Sequence, residues 1–186
     1  MPTHPTHGRT ERLARFERLA RSAHAPVLRY LIRRTDRETA ADVLAETLAV
    51  LWRRLDEVPD DTALPWCYGV ARRCLANAER GARRRAALVA RILVLDPPPA
   101  IAASGDDEAA DAVRAALLRL SPDERELLRL WAWEGLAPRE IALVLGVSPN
   151  AVSIRLHRAK LRLREAMLGQ DAAAAGHLLG EEGDTR

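Results

Sequence analysis

An all-α fold, in two small helical domains joined by a flexible linker, is what this chain predicts, and three observations carry the expectation. Ala, Leu and Arg dominate while aromatic residues make up only 4%, a composition that favours helix over sheet. Apolar residues return at spacings of three and four through two long blocks, the period of a helix buried on one face. Between the blocks lies "ALVARILVLDPPPAIAASGD" (86–105), whose Pro97, Pro98 and Pro99 stop a helix and favour extended chain. The resulting organisation is an N-terminal domain over 10–85, a linker over 86–107, a C-terminal domain over 108–168 and a fraying tail over 169–186.

The first block reads as three helices. Leu13, Phe16, Leu19, Ala23, Val27, Leu28 and Leu31 recur at helical spacing, with Pro26 placed to kink or restart the helix. "TDRE" (35–38) has the capping-box form that opens a helix at Thr35. Val43, Leu44, Thr47, Leu48, Leu51, Trp52 and Leu55 then form one apolar stripe. "VPDDTALP" (58–65) reads as a loop, and Pro65 suits the first turn of a third helix running to about Arg85.

The second block reads as four helices. The first spans roughly Asp107 to Arg119, and "SPDE" (121–124) is a second capping box with proline at the first helical position. Leu127, Leu128 and Trp131 lie on that helix, which stops at Gly135. "PREIALVL" (138–145) is a short helix ending at Gly146, where the chain needs a positive φ to turn. Ser148 then caps the last helix, with Pro149 first in it. Two helices around a tight glycine turn, the second of them basic, form a helix-turn-helix. Ile141, Ala142 and Leu145 are expected to face Val152 and Leu156.

That last helix raises a question of charge. Residues 146–165 carry Arg155, Arg158, Lys160, Arg162 and Arg164 and no acid before Glu165. The outer face presents Asn150, Ser153, Ile154, Arg155, His157 and Arg158, with Ser148 at the cap and Lys160 and Arg162 further along. Arg can bond a guanine edge through two donors or clamp a phosphate, so these nine residues are the candidate duplex contacts. The alternative is a solvated amphipathic helix that happens to be basic.

The whole chain narrows the remaining classes. At 186 residues it holds one ordinary domain or two small ones. The formal charge is +3 with a pI of about 9.4, so where the charges lie matters more than their sum. No run of about 18 apolar residues occurs, and "MPTHPTHGRTER" lacks the apolar core of a signal peptide, so the expectation is a cytoplasmic protein with no membrane insertion. Cys67 and Cys74 sit two helical turns apart, about 10 Å, too far for a disulfide, and read as small buried residues. No Gly-rich phosphate loop, metal-spaced cluster or nucleophile motif appears, and His24, His157 and His177 are scattered. Neither an enzyme nor a cofactor or metal is expected.

The string "LLRLSPDERELLRLWAWEGLAPREIALVLGVSPNAVSIRLHRAKLRLRE" resembles the promoter-reading C-terminal domain of bacterial RNA polymerase sigma factors of the extracytoplasmic-function class. The resemblance lies in L-S-P-x-x-R-E-L-L (120–128), E-G-L-x-x-x-E-I-A-x-x-L-G (134–146) and R-L-H-R-A (155–159). Ser153 and Ile154 stand where the family commonly has a Lys and a Ser. The resemblance implies that the last helix reads the −35 promoter element; on that helix Arg158 is the candidate for a base or groove contact and Arg155 for a phosphate.

The first block resembles the same family independently. "ADVLAETLAVLWRRL" (41–55) is similar to its polymerase-binding helix through Asp42, Glu46, Thr47, Leu51 and Trp52, with Ala41 and Ala45 replacing an acid and a Gln. The implied polymerase contacts are Asp42, Glu46, Leu48 and Trp52. Residues 36–61 hold eight acids against three arginines, and Asp42 and Glu46 fall one turn apart on one side. "LPWCYGVARRCLANAERGARRR" (64–85) is similar to the helix that opens promoter DNA, through Trp66, Val70 and Ala71, with Cys67 at a Leu and Arg73 at the usual Asn. Its six arginines against one acid suit an unwound, phosphate-rich strand. The loop from Asp60 to Ala63 lies where the family cradles a flipped base. The implied −10 contacts are Asp61, Thr62, Arg72, Arg73, Asn77 and Arg80, while Trp66 reads as core. The implied partners are core RNA polymerase and promoter DNA, with an anti-sigma factor as a further possibility. The runner-up, a free-standing helix-turn-helix regulator that binds a duplex operator as a dimer, leaves residues 36–85 unexplained.

Overall fold

The computed structural model describes the backbone of residues 5–92, 113 and 115–180, and the side chains of 8–85, 113 and 115–168. Every regular element among them is helical, and the chain divides into two compact units.

In the N-terminal unit, α1 (Pro5–Ile32), α2 (Arg37–Arg53) and α3 (Ala63–Ile92) pack against one another in all three pairs, with a 3-10 turn at Leu55–Glu57. Helix α1 runs unbroken through Pro26, so no second helix restarts there. It buries Leu19, Ala23, Val27, Tyr30 and Leu31, a stripe at the helical period. Leu13, expected on that stripe, is 47% exposed, because the stripe passes out of the three-helix contact towards the N-terminus. Tyr30 packs its ring 5.2 Å from that of Tyr68 on α3.

Helix α2 opens one residue later than expected. Its cap is Asp36, whose Oδ1 accepts from the Thr39 N–H at 2.9 Å and whose Oδ2 accepts from the Thr39 hydroxyl at 2.8 Å. Thr35 bonds the Asp36 carboxylate instead of the helix backbone. The Thr39 N–H, then its hydroxyl, holds the Asp36 carboxyl below its ordinary range. The buried face is Ala40, Val43, Leu44, Thr47 and Leu51, and the Thr47 hydroxyl donates to the Val43 carbonyl at 2.7 Å. Leu48 is half-buried and Trp52 is 39% exposed, so neither completes the stripe. Helix α3 buries Cys67, Tyr68, Val70, Ala71, Cys74 and Leu75. It continues seven residues past Arg85 because nothing before Pro97 breaks a helix. The expected linker therefore begins as helix, and its prolines lie outside the described residues.

In the C-terminal half of the chain, whose segment 140–147 groups with the first compact unit, helical residues 115–118 bury Ala116 and lead to α4 (Pro122–Ala132). The expected start of that first helix, 107–112, lies outside the described residues. The Ser121–Glu124 capping box forms with both of its bonds, and Pro122 opens the helix. Leu127, Leu128 and Leu130 are buried, each aliphatic side chain worth about 1.5–3 kcal/mol. The chain turns at Gly135 with φ +67, forms α5 (Pro138–Leu145) and turns again at Gly146 with φ +69. At the second turn the N–H groups of Gly146 and Val147 both donate to the Ala142 carbonyl, at 2.9 and 3.1 Å. On α5 the buried residues are Ile141, Ala142 and Val144. Leu145, expected to face Val152 and Leu156, is half-buried. The Ser148 hydroxyl accepts from the Ala151 N–H at 3.2 Å and opens α6 (Pro149–Gly180), which packs against α4. The backbone of the expected tail is helical through Gly180, consistent with the high helix propensity of its alanine run.

Candidate nucleic-acid interface

At 100° per residue, Val152, Leu156 and Ala159 fall within roughly 60° of one another on α6, and all three are buried. Asn150, Ile154 and His157 lie on the opposite side and are exposed. Arg155, Arg158 and Arg162, at spacings of three and four, form a ridge along one flank of that arc. Ile154, 46% exposed, places an aliphatic group at the centre of the outer arc, where it suits a thymine methyl better than a phosphate. Ser153 is exposed, but its hydroxyl donates back to the Pro149 carbonyl at 3.1 Å.

All nine expected contacts on this helix are exposed, yet two cations already have partners on α4. The Lys160 ammonium sits 3.4 Å from the centroid of the Trp131 ring, a cation–π contact. Arg162 pairs with Glu124, and the two side chains are 62% and 16% exposed. Glu124 also accepts from the Ser121 N–H at 3.1 Å and from its hydroxyl at 2.9 Å. The Ser121 hydroxyl, followed by the Ser121 N–H and then Arg162, holds the Glu124 carboxyl below its ordinary range. Lys160 and Arg162 thus clasp α4 from the two sides of the buried stripe. This division of the five cations is not written in their spacing; Trp131, 42% exposed, and Glu124 on α4 decide it.

On the N-terminal unit, Arg73, Asn77 and Arg80 follow one another at spacings of four and three on α3 and are exposed, with Arg72 half-buried beside them. Arg80 donates to the Asn77 side-chain oxygen, and Arg83 pairs with Glu79, the helix's one acid in this stretch, at 3.4 Å. Trp66, expected in the core, is half-buried, and the Arg54 guanidinium lies 5.9 Å from its ring centroid. Asp61 is exposed and Thr62 half-buried in the turn before α3. The Thr62 carbonyl accepts from the Trp66 N–H at 3.0 Å, tying the turn to the first turn of the helix.

Two residues that the sequence left in an ordinary core helix hold that turn from outside. Arg15 of α1 donates to the Leu55 carbonyl at 2.7 Å, to the Val58 carbonyl at 2.6 Å and to Asp60 Oδ1 at 2.9 Å. Arg12, one turn earlier, pairs with Asp56 and donates to the Trp52 carbonyl at 3.0 Å. The available signal was charge: two arginines at i, i+3 on α1 against Asp56, Glu57, Asp60 and Asp61.

The exposed arc of α2 is acidic and smooth. Asp42 and Glu46 lie roughly 40° apart around the helix, flanked by exposed Ala41, Ala45 and Ala49. At its C-terminal end the Trp52 ring meets Phe16 edge-on at 5.2 Å and lies 5.3 Å from the Arg12 guanidinium, so half of a large apolar ring faces outward. Small residues between acids let a partner approach the helix backbone, and a half-exposed tryptophan anchors such contacts. Leu48 lies well around the helix from Asp42 and contributes only its edge.

Among the described residues no group of His, Cys, Asp and Glu is arranged to hold a metal ion, and no helix is long and apolar enough to cross a membrane. Cys67 and Cys74 are buried free thiols. Burial pushes the Cys67 thiol up to about 12 and raises that of Cys74. His24 and His157 are exposed on different units.

Residues 110–163 match the family described as Sigma-70, region 4. The chain is 32% identical over 150 residues to the RNA polymerase sigma factor CarQ of Myxococcus xanthus, covering 79% of this chain and 86% of that protein. It is 34% identical over 151 residues to the ECF RNA polymerase sigma factor SigL of Mycobacterium tuberculosis, covering 76% and 82%. The sigma factor RpoE of Bartonella quintana, solved in complex with the anti-sigma factor NepR, shares the fold with a TM-score of 0.51 at 20% identity, over 87% of this chain and 96% of that chain. The chain belongs to the extracytoplasmic-function sigma factors, which direct promoter-specific initiation by RNA polymerase.

Proposed function

We propose a division of that function among three surfaces. The outer arc of α6 enters the major groove of the −35 element, with Asn150, Ile154, His157 and Arg158 towards the bases and Arg155 on a phosphate. The arginine-rich flank of α3 takes the opened −10 strand through Arg72, Arg73, Asn77 and Arg80, and the turn at Asp61 and Thr62 receives a flipped base. Asp42, Glu46 and Trp52 on α2, with the edge of Leu48, dock on core polymerase. Lys160 and Arg162 brace α6 on α4 rather than contact the duplex, and the charge of Arg162 is largely compensated by Glu124. The chain works in the cytoplasm, performs no chemistry of its own and lends recognition and strand opening to the polymerase. An anti-sigma factor that covered the α2 arc and the α6 arc would silence it, as the pairing of the Bartonella relative with NepR suggests.

The observation that carries this reading is the segregation of charge: an acid-free outer arc on α6, an arginine flank on α3 and an acidic arc on α2, all exposed. Run-off transcription with purified core polymerase on genomic fragments tests it. Discrete start sites, each preceded by a shared pair of sequence elements, are expected. Tight operator binding by the isolated chain, with no polymerase dependence, would replace it with the free-standing regulator reading.

A further inference from the structure

We infer that Arg15, on α1 and outside the proposed DNA contacts, is the positioning residue for the base-reading turn before α3. The proposal rests on the −10 assignment above for its functional half, while its structural half stands on the contacts alone.

The segment 55–62 is tied at its ends, by the Glu57 N–H on the Arg54 carbonyl at 2.9 Å and the Trp66 N–H on the Thr62 carbonyl at 3.0 Å, but between Val58 and Asp61 it has few bonds of its own. Leu55 and Val58 bury their side chains, but the described bonds within the segment are the Val58 N–H to the Leu55 carbonyl at 3.2 Å and the Thr62 hydroxyl to Asp61 at 3.4 Å. Pro59 has no N–H to offer. Into this gap α1 extends one guanidinium that makes four bonds. Nη1 donates to the Leu55 carbonyl, Nη2 to the Val58 carbonyl, and Nη2 and Nε both to Asp60 Oδ1, at 2.6 to 3.2 Å. A planar fork with five donors can hold two carbonyls and a carboxylate at fixed angles. A lysine ammonium, a single point charge on a flexible stem, cannot reproduce that set.

The contacts fix the segment at both ends of the turn. Leu55 begins the 3-10 turn, and Asp60 immediately precedes Asp61 and Thr62. Arg12 repeats the device one turn back on Asp56 and the Trp52 carbonyl, so α1 braces the connection from the end of α2 to the start of α3. Arg15 is only 27% exposed while Asp60 is 68% exposed. The guanidinium is thus a partly buried support beneath an accessible turn. A site that discriminates among bases must hold its groups to within about 0.5 Å, and here that rigidity is delivered from a helix 40 to 45 residues away in sequence.

Two variants, Arg15→Ala and Arg15→Lys, test this with two readouts. The first is hydrogen exchange of the free chain. The amides of Glu57 and Val58, bonded to the Arg54 and Leu55 carbonyls, should exchange at least about tenfold faster in both variants, while α2 and α6 keep wild-type protection. The second is initiation by reconstituted holoenzyme on promoters carrying each base substitution in the −10 element. The ratio of initiation on preferred over substituted base should fall about tenfold, within the range one well-made base contact discriminates, with core binding changed less than twofold. Unchanged exchange in a folded variant would overturn the structural half. Faster exchange with unchanged discrimination would overturn the positioning role. Full retention of both by Arg15→Lys would show that charge and not the fork matters, and loss of helix in both variants would assign Arg15 to the fold; either result overturns the proposal. Failure of wild-type holoenzyme to discriminate at −10 refutes the promoter assignment instead, and leaves the exchange result standing.

Discussion

Arg158 and Arg162 stand one turn apart on the same ridge of α6, and truncating each to alanine should have different consequences. Arg158 is exposed on the ridge, whereas the charge of Arg162 is opposed by Glu124, itself only 16% exposed. Each phosphate contact contributes about 0.9 to the slope of log K against log salt, a factor of about 3.5 in affinity over a fourfold change in salt. If Arg158 holds a phosphate, Arg158→Ala flattens the slope by about 0.9 on every sequence. If it reads a base, it costs about 1–3 kcal/mol at one position and leaves the slope nearly unchanged. Arg162→Ala should do neither, since the DNA sees a charge that Glu124 already compensates; the loss falls on the fold, at about 0.2–1 kcal/mol for a pair whose guanidinium is largely in water. Removing the acid completes the set: Glu124→Gln leaves Arg162 uncompensated and should steepen the slope by up to about 0.9. The assay is binding of reconstituted holoenzyme to −35 duplex across a salt series, with the wild type as reference. An Arg162→Ala variant that by itself flattens the slope by about 0.9 refutes the idea that intramolecular pairing withdraws a cation from the interface.

Reversing both charges of the acidic arc, Asp42→Arg with Glu46→Arg, should lower core polymerase affinity by at least about 100-fold, as for central interface charges, while circular dichroism stays helical; retained binding would move the interface elsewhere. The Glu124 carboxyl is held down by Ser121 and Arg162, so its stabilisation is present above the unfolded value of about 4.3 and disappears as pH falls through the lower folded value. Thermal unfolding of wild type and Glu124→Gln should therefore differ near neutrality and converge in acid, and a constant gap would deny the linkage. A thiol raised to about 12 is ionised about 2,000-fold less at pH 8 than an ordinary thiol at 8.5. Cys67 should therefore resist thiol reagents until the chain unfolds; rapid labelling of the native protein would contradict its burial.

What the sequence made legible was whatever is decided within one turn of helix. The Ser121–Glu124 box, the Ser148 cap and the positive φ at Gly146 all depend on neighbours three or four residues away, and all appear where the pattern put them. The same locality explains the failure at Thr35. "TDRE" offers two adjacent cap residues, and the Asp36 carboxylate can accept the Thr39 N–H and hydroxyl together, a choice that spacing does not display. Trp66 reads as core on hydrophobicity but is only half-buried, with the Arg54 guanidinium near its ring, and Trp131 carries the Lys160 ammonium on an exposed face. An indole face can attract a guanidinium or an ammonium without burying it.

The candidate site shows the same limit in its electrostatics. Counted along the chain, α6 offers five equivalent cations between residues 155 and 164, and the reading of an acid-free helix follows from that count alone. Helix α4 then supplies a carboxylate to Arg162 and an aromatic face to Lys160, across separations of 38 and 29 residues that no local pattern encodes. On α1, Arg15 is spent on two carbonyls and a carboxylate more than 40 residues away. Formal charge is set by sequence, but the field that reaches a DNA duplex is what remains after such pairings. Arg155 and Arg158 are therefore the residues whose substitution should change promoter affinity most per charge removed.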